Sequence, residues 1–297
     1  MQNFAGRVAV ITGAGSGMGA AMARRFARSG MKIVVSDIDA AAAEATRAGL
    51  CEAGHTAIAV RTDVAIPAEV EALAEAAYQQ FGAVHLLCNN AGVVPSGRQR
   101  TIWEYPLEDW EWSLGVNLMG VVHGIRSFVP RMLAQGDEGH VVTTASVAGL
   151  VGSSGSVPYG LAKQGAIRAT EALYAALQER GARIGVTLLC PGLVNTGIYR
   201  SERNRPTDLR PAAGTAEETP ELQAIADHLY GNAISPDEVA EMVHRAVLDN
   251  QFYLLTTDKF DAPIRERTEA ILARRNPSFP SLVELSKSDL RNGRSLS

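Results

Sequence analysis

The chain has 297 residues, of which 46% are hydrophobic and 20% are charged, so it can bury a sizeable core and is not a disordered chain. Its formal net charge of −4 gives no electrostatic reason to expect nucleic acid or an anionic membrane as a partner. Three cysteines far apart in sequence, Cys51, Cys88 and Cys190, indicate reduced thiols in a cytoplasmic protein, not a disulfide framework or a zinc site.

Three further classes of feature are not expected. The N-terminal residues have no basic segment leading into a long apolar stretch, which predicts no signal peptide. No window approaches the roughly 18 uninterrupted apolar residues of a membrane span. The histidines, among them His123 and His140, show no ligand spacing with cysteine or carboxylate, so we expect no metal site.

Short apolar runs alternate with helical patterns along the whole chain. The runs are rich in β-branched residues and bounded by glycine, which is typical of buried parallel strands. Strand, helix, strand, repeated without hairpin turns, implies right-handed crossovers. We therefore predict an α/β fold, a Rossmann-like doubly wound parallel sheet of about seven strands with helices on both faces. The predicted strands cover residues 7–12, 32–37, 56–63, 84–92, 139–146, 183–192 and 252–258.

The chain is predicted to form a single catalytic domain over residues 1–258, followed by a C-terminal helix and a polar tail over 259–297. A segment at about 193–232 is rich in Pro, Thr, Arg and Gly, and a loop this long in a compact domain is usually functional. Its arginines at 199–211 are interpreted as a solvated lid face, with a clamp for an acidic substrate as the alternative. We expect about the last ten residues to be loosely held.

A glycine-rich turn, TGAGSGMG at 12–19, lies between the first predicted strand and the first predicted helix. In that position the glycines let the turn tighten and let a diphosphate approach the backbone N–H groups at the helix N-terminus. The motif therefore predicts a dinucleotide site.

Asp37 ends the second predicted strand, where a carboxylate can accept hydrogen bonds from both hydroxyls of an adenosine ribose and would repel a 2′-phosphate. Neither Ser16 nor Ile38 supplies a compensating positive charge, so NAD is favoured over NADP. The alternative interpretation makes Asp37 the N-cap of the next helix, a role that Asp39 can fill instead.

Tyr159 and Lys163 lie four residues apart in a predicted helix and therefore share one face. A positive charge nearby lowers the pKa of a phenol, which suits Tyr159 to act as a base toward an alcohol or an acid toward a ketone. The pair alone is equally typical of a solvated helix face. Ser146 ends a strand, at the rim where open α/β sheets bind ligands, and can reach the same substrate oxygen; its other interpretation is a turn serine.

Over roughly residues 4–250, these motifs in this order resemble those of the short-chain dehydrogenase/reductase family. TGAGSGMG is similar to the family's cofactor turn, and NNAG at 89–92 to its fourth-strand signature. YGLAK at 159–163 is similar to its Tyr-x-x-x-Lys, and PGLVNT at 191–196 to its nicotinamide-side loop. The resemblance implies hydride transfer between NAD and a secondary alcohol or ketone, without a metal.

The resemblance also implies roles for individual residues. Tyr159 would be the acid/base, Lys163 would bind the nicotinamide ribose and lower the pKa of the tyrosine, and Ser146 would orient the substrate oxygen. Asn117, which by itself is only a polar residue in an apolar helix, would help hold a water of a proton relay. The implied cofactor-binding residues are Gly13, Ser16, Gly17, Met18, Gly19, Asp37, Asp63, Val64, Asn90, Gly92, Tyr159, Lys163, Pro191, Gly192, Val194 and Thr196.

The C-terminal part looks similar to a bacterial subgroup of the family that oxidises benzylic, terpenoid or steroid secondary alcohols. The expected substrate is therefore a hydrophobic alcohol or ketone, cyclic or aryl, in an apolar pocket of Val94, Trp103, Leu150, Val151 and Ile198. Two alternatives stay open, an NADPH-dependent ketone reductase and a catalytically silent nucleotide-binding sensor. We expect a homodimer or homotetramer, although the family's frequent Gly-Gly after the last strand is missing.

Overall fold

The structure is a computed structural model that describes residues 1–95, 100–152, 155–211 and 227–279. The strands are β1 (Val8–Thr12), β2 (Lys32–Asp37), β3 (Ala57–Arg61), β4 (Leu86–Asn89), β5 (Gly139–Thr144), β6 (Ile184–Cys190) and β7 (Tyr253–Leu255). The helices are α1 (Gly17–Arg28), α2 (Ala40–Glu52), α3 (Pro67–Phe81), α4 (Leu107–Leu114), α5 (Gly120–Gln135), α6 (Val157–Glu179), α7 (Pro236–Asp249) and α8 (Asp261–Ala273). Short 3₁₀ turns cover Ile102–Glu104, Val147–Gly149, Gly197–Asn204 and Thr207–Leu209, and a π-helical segment covers Gly115–Met119.

The strands form one parallel sheet in the order β3-β2-β1-β4-β5-β6-β7. The predicted Rossmann-like fold of about seven strands is confirmed. The strand order reverses between β1 and β4, which are neighbours in the sheet but separated in sequence by β2 and β3. Because ligands of open α/β sheets bind beyond the carboxyl ends of the strands at such a reversal, the topology itself locates the site.

Two hydrophobic cores lie on the two faces of this sheet. Successive residues of a strand point to opposite faces, so β1 contributes to both cores. Val10 packs in one core with Phe128 of α5, and Ile11 packs in the other with Phe26 of α1. All four side chains are fully buried, and helices therefore cover both faces of the sheet, as predicted.

The carboxylate of Asp39 caps α2, accepting from the N–H groups of Ala41 and Ala42 at 3.0 and 3.1 Å. An N-cap carboxylate satisfies backbone donors that have no partner inside the helix. This contact excludes the N-cap interpretation of Asp37, because the capping role belongs to Asp39.

Several general expectations can be compared with the described residues. Cys88 and Cys190 are buried and Cys51 is exposed, and none of the three forms a disulfide. Within the described ranges, no helix is long and apolar enough to cross a membrane, and no group of three or more His, Cys, Asp or Glu side chains could hold a metal ion. The predicted C-terminal helix is α8, whereas the tail expected to be loosely held lies outside the described residues.

Two helical glycines differ in the space around them, which gives a matched test of the packing. A Cβ at Gly124 in α5 would overlap the Asn89 side chain, whereas a Cβ at Gly49 in α2 would meet nothing within 4 Å. We expect Gly124→Ala to destabilise the fold by about 1–3 kcal/mol through overpacking. Gly49→Ala should stabilise it by about 0.5–1 kcal/mol, because glycine is unfavourable inside a helix. Urea unfolding of both variants measures the difference, and equal effects would contradict the packing described here.

Candidate active site

One cavity of about 540 Å³ opens at the carboxyl edge of the sheet. The residues that border it follow β1, β2, β4, β5 and β6, so it sits across the reversal of strand order. Ser146, Tyr159 and every residue assigned above to cofactor binding border this one cavity. Asn117 does not border it and lies fully buried behind the wall.

The glycine-rich turn leaves the N-terminus of α1 open toward this cavity. Ser16 is the N-cap in extended conformation, its side chain makes no capping hydrogen bond, and the first turn of α1 contains no acidic residue. Gly13 and Gly17 adopt φ angles of +65° and +53°, in the left-handed region that favours glycine. A Cβ at Gly19 would overlap the carbonyl of Gly13. A helix N-terminus without a side-chain cap, next to a tight turn free of bulky side chains, fits a diphosphate group.

The Asp37 carboxylate is held in place by backbone donors at both of its oxygens. Oδ2 accepts from the N–H of Gly15 at 2.9 Å, and Oδ1 accepts from the N–H of Asp39 at 3.0 Å. A Cβ at Gly15 would lie 2.9 Å from Oδ2, so glycine is required for this close approach. A fixed, half-buried carboxylate at the cavity wall fits the hydroxyls of an adenosine ribose.

A chain of hydrogen bonds crosses the carboxyl ends of three strands and reaches α6. Lys163 Nζ donates to the carbonyl of Thr144 at 2.8 Å, and Thr144 Oγ1 donates to Asn90 Oδ1 at 3.1 Å. Asn90 Nδ2 in turn donates to the carbonyl of Thr12 at 2.9 Å. The amide of Asn90, which is one of the implied cofactor-binding residues, thus makes its hydrogen bonds within the protein and supports the turn that borders the cavity.

Tyr159 and Ser146 meet at one wall of the cavity. The Ser146 hydroxyl hydrogen-bonds the Tyr159 phenol and also accepts from the N–H of Ala148 at 3.1 Å. The ammonium of Lys163 lies 5.6 Å from the centroid of the Tyr159 ring. Ser156, the N-cap of α6, has a φ of 47°, a left-handed conformation that is uncommon for residues other than glycine and recurs at functional sites.

Burial shifts the pKa values of this pair in opposite directions. Desolvation raises the pKa of Tyr159, and the hydrogen bond from Ser146 opposes that shift. Desolvation lowers the pKa of Lys163 to about 8, since its side chain is only 2% exposed. The net shift therefore raises the pKa of Tyr159, so the phenol is neutral at physiological pH. The lowering of this pKa by Lys163 stays a prediction.

Asn117 lies in the π-helical segment between α4 and α5. Its Nδ2 donates to the carbonyl of Val93 at 2.8 Å, and its Oδ1 accepts from the Val93 N–H at 3.1 Å. Gly92 faces both Asn117 and Lys163, because a Cβ there would lie 3.0 Å from Asn117 Oδ1 and 3.4 Å from Lys163 Nζ. π-Helical segments frequently occur at functional sites, and this one brings Asn117 close to Lys163.

The predicted substrate pocket is only partly correct. Val94 and Ile198 border the cavity as expected. Trp103 lies in a 3₁₀ turn on the outer surface and is 81% exposed, so its assignment to the pocket is wrong. Leu150 packs into a small core beneath α6, and Val151 is buried; neither borders the cavity, so these assignments are also wrong.

Aromatic residues that the sequence analysis missed form much of the substrate side of the cavity. Trp112 of α4, Tyr230 and Phe260 all border it. Phe260 follows β7, and the rule that ligands bind beyond strand ends could have found it. The sequence carries no comparable signal for Trp112 or Tyr230, whose positions depend on packing between distant segments.

Comparisons with known proteins agree with this site. A family model described as short chain dehydrogenase matches residues 7–207. The "CLA biosynthesis dehydrogenase/reductase" of Lactiplantibacillus plantarum is 34% identical over 275 residues, covering 92% of this chain and 95% of that protein. The 1-deoxy-11-beta-hydroxypentalenate dehydrogenase of Streptomyces exfoliatus is 35% identical, with coverages of 92% and 90%. A crystal structure of a short chain dehydrogenase/reductase from Burkholderia phymatum in complex with NAD matches with a TM-score of 0.86 and 44% identity, covering 94% of this chain and 99% of that one.

The raised pKa of Tyr159 can be measured directly on the protein without nucleotide. A raised pKa means that the neutral phenol persists above the ordinary value of about 10. We expect ultraviolet titration of tyrosinate to give the same absorbance change for the wild type and Tyr159→Phe up to about pH 10, with extra wild-type absorbance only above it. An extra tyrosinate signal from the wild type near neutral pH would contradict the effect of burial.

Proposed function

Because the chain belongs to the short-chain dehydrogenase/reductase family of oxidoreductases, we propose that it oxidises a hydrophobic, ring-bearing secondary alcohol to its ketone with NAD. The observation that carries the proposal is the meeting of Tyr159, Ser146 and Lys163 at one wall of a cavity whose other end holds Asp37.

In this proposal, different residues of the cavity bind different parts of the cofactor. The open N-terminus of α1 binds the diphosphate, and Asp37 accepts from the adenosine ribose. NAD, when bound, supplies the hydride acceptor. The remaining contacts come from Asp63 and Val64 at the adenine, Lys163 at the nicotinamide ribose, and Pro191, Gly192, Val194 and Thr196 at the nicotinamide.

The proton of the alcohol is handled by the chain's own side chains. The Ser146 hydroxyl orients the substrate oxygen. The phenol oxygen of Tyr159 receives the hydroxyl proton as the phenol releases its own proton to solvent, past Lys163 and Asn117. Lys163 is charged below a pH of about 8 and supplies a positive charge one helical turn from the phenol. Asn117, beside Gly92 and Lys163, extends the route for the proton away from the cavity.

The walls of the cavity support a hydrophobic, ring-bearing substrate. Trp112, Tyr230, Phe260 and Ile198 contribute apolar or aromatic side chains to the lining of the cavity that Tyr159 also borders. Flat side chains of this kind pack well against rings. The Streptomyces exfoliatus relative is named as a dehydrogenase of a hydroxyl-bearing compound, which agrees with an alcohol as the substrate.

The proposed reaction predicts NADH formation from a panel of aryl, terpenoid and steroid secondary alcohols. Tyr159→Phe removes the proton acceptor and should lower kcat by about 10²- to 10⁴-fold. Tyr174→Phe makes the same change on α6 at a residue that does not border the cavity, and should leave kcat unchanged. If Tyr159→Phe retained most of the wild-type turnover, the proposed role of Tyr159 in proton transfer would be wrong. If no alcohol of the panel gave NADH, the proposed alcohol oxidation itself would be wrong.

The proposed preference for NAD depends on the charge of Asp37. Asp37→Asn keeps the size of the side chain but removes the negative charge. This change should raise the KM for NAD by about 10- to 100-fold and reduce the preference of the enzyme for NAD over NADP. Asp39→Asn is the matched control, because asparagine caps a helix as well as aspartate does. Steady-state rates with both nucleotides measure the effect, and a wild-type preference for NADP would refute the role of Asp37.

A further inference from the structure

The segment after β6 is fastened to α4 by a buried ion-pair network behind the substrate cavity. We propose that Arg205 is a positioning residue that, through Asp109 and Trp112, holds one wall of this cavity and thereby determines which substrates fit. The inference about substrates rests on the proposed function, whereas the attachment of Arg205 to Asp109 does not depend on that function.

The network joins two segments that are distant in sequence, residues 100–109 and residues 202–209. Arg205 Nη2 donates to Asp109 Oδ1 at 2.6 Å, and Arg100 Nη1 donates to Asp109 Oδ2 at 3.2 Å. Each carboxylate oxygen of Asp109 therefore accepts from a different guanidinium. Arg205 also donates from Nη1 to Glu202 Oε1 at 3.1 Å and from Nε to the carbonyl of Leu209 at 2.7 Å.

The charges of Asp109 and Arg205 lie deep in the protein. Of the four arginines at 199–211, Arg200, Arg203 and Arg210 are exposed, as predicted for a solvated face, and Arg205 is the exception. Asp109 is 2% exposed and Arg205 4% exposed. Buried charges are tolerated only when they are paired and hydrogen-bonded, so each partner depends on the others. Burial raises the pKa of Asp109, and the two guanidiniums oppose that shift. Removing one partner leaves the others buried without compensation.

The network lies directly behind the cavity wall. Arg205 itself does not border the cavity, but its guanidinium lies 4.7 Å from the centroid of the Trp112 ring, which does. Residues on both sides of Arg205 also form the wall, namely Ile198, Ser201, Arg203, Asn204, Pro206 and Leu209. The guanidinium thus fixes the segment and the indole relative to each other without touching the substrate.

A second buried contact holds the same segment near its start. Ser201 is 3% exposed, and its Oγ accepts from the N–H of Val94 at 3.2 Å. With Ser201 fixed to the loop after β4 and Arg205 fixed to α4, the wall between them has a defined position. Loosening the Arg205 contact should widen the cavity at Trp112 while leaving the nucleotide residues in place.

The experiment compares Asp109→Asn and Arg205→Lys with Glu108→Gln, which makes the same carboxylate-to-amide change one residue earlier on α4. Arg205→Lys keeps the positive charge but loses the several N–H donors of the guanidinium. This variant still tests the proposal if Asp109→Asn does not fold. Three quantities are measured: amide hydrogen exchange over residues 197–209, the Kd for NAD, and kcat/KM for 1-phenylethanol and diphenylmethanol.

We expect both network variants to speed exchange over 197–209 by about tenfold or more, with an unchanged Kd for NAD. Their kcat/KM for 1-phenylethanol should fall by about tenfold, with a smaller loss for the bulkier diphenylmethanol. Glu108→Gln should match the wild type throughout. The proposal would be overturned if the variants showed the same hydrogen exchange and the same substrate selectivity as the wild type. It would also be overturned if hydrogen exchange became faster throughout the protein and NAD binding weakened with it. If the wild type oxidises neither these two alcohols nor any alcohol of the panel above, the proposed function fails, and the exchange rates alone decide the anchoring.

Discussion

The buried ammonium of Lys163 is the constraint on which the arrangement of the site depends. An ammonium that is 2% exposed must be hydrogen-bonded, and its acceptor is the carbonyl of Thr144 at the end of β5. That contact fixes α6 against the sheet and places Tyr159, one helical turn earlier, beside Ser146. The side chain of Thr144 donates to Asn90, which in turn donates to Thr12 at the end of β1. The same set of hydrogen bonds therefore connects Lys163 with the glycine-rich turn.

The parts of the molecule that could be predicted from the sequence are those specified by local patterns. The seven strands follow from runs of β-branched residues, and the order of strands and helices implies the doubly wound sheet. The spacing of Tyr159 and Lys163 puts them on one helix face in any context. Asn117 was found only through the family resemblance, because its contacts to Val93 are made across a loop that no local pattern specifies.

Trp112 and Tyr230, which border the cavity, could not be predicted from the sequence, because they are placed by packing between distant segments. Trp103 and Trp112 are nine positions apart, yet one is 81% exposed and the other 2%. Composition cannot distinguish them, since the difference arises from which face of each short element meets the rest of the fold. Arg205 illustrates the same limit for charge, because its partner Asp109 lies 96 residues away in the sequence.

Low local polarity has a further consequence for the proposed chemistry. The same burial that keeps Tyr159 neutral also brings the pKa of Lys163 down to about 8, which still leaves the ammonium mostly charged at neutral pH. The resting site therefore pairs a neutral phenol with a positive charge. Because burial raises the pKa of Tyr159, negative charge on the phenol is less stable here than in water, and the hydrogen bond from Ser146 offsets part of that cost. The proposed proton transfer therefore depends on groups that are already in position when charge appears on the oxygen atoms, namely the Ser146 hydroxyl and the Lys163 ammonium.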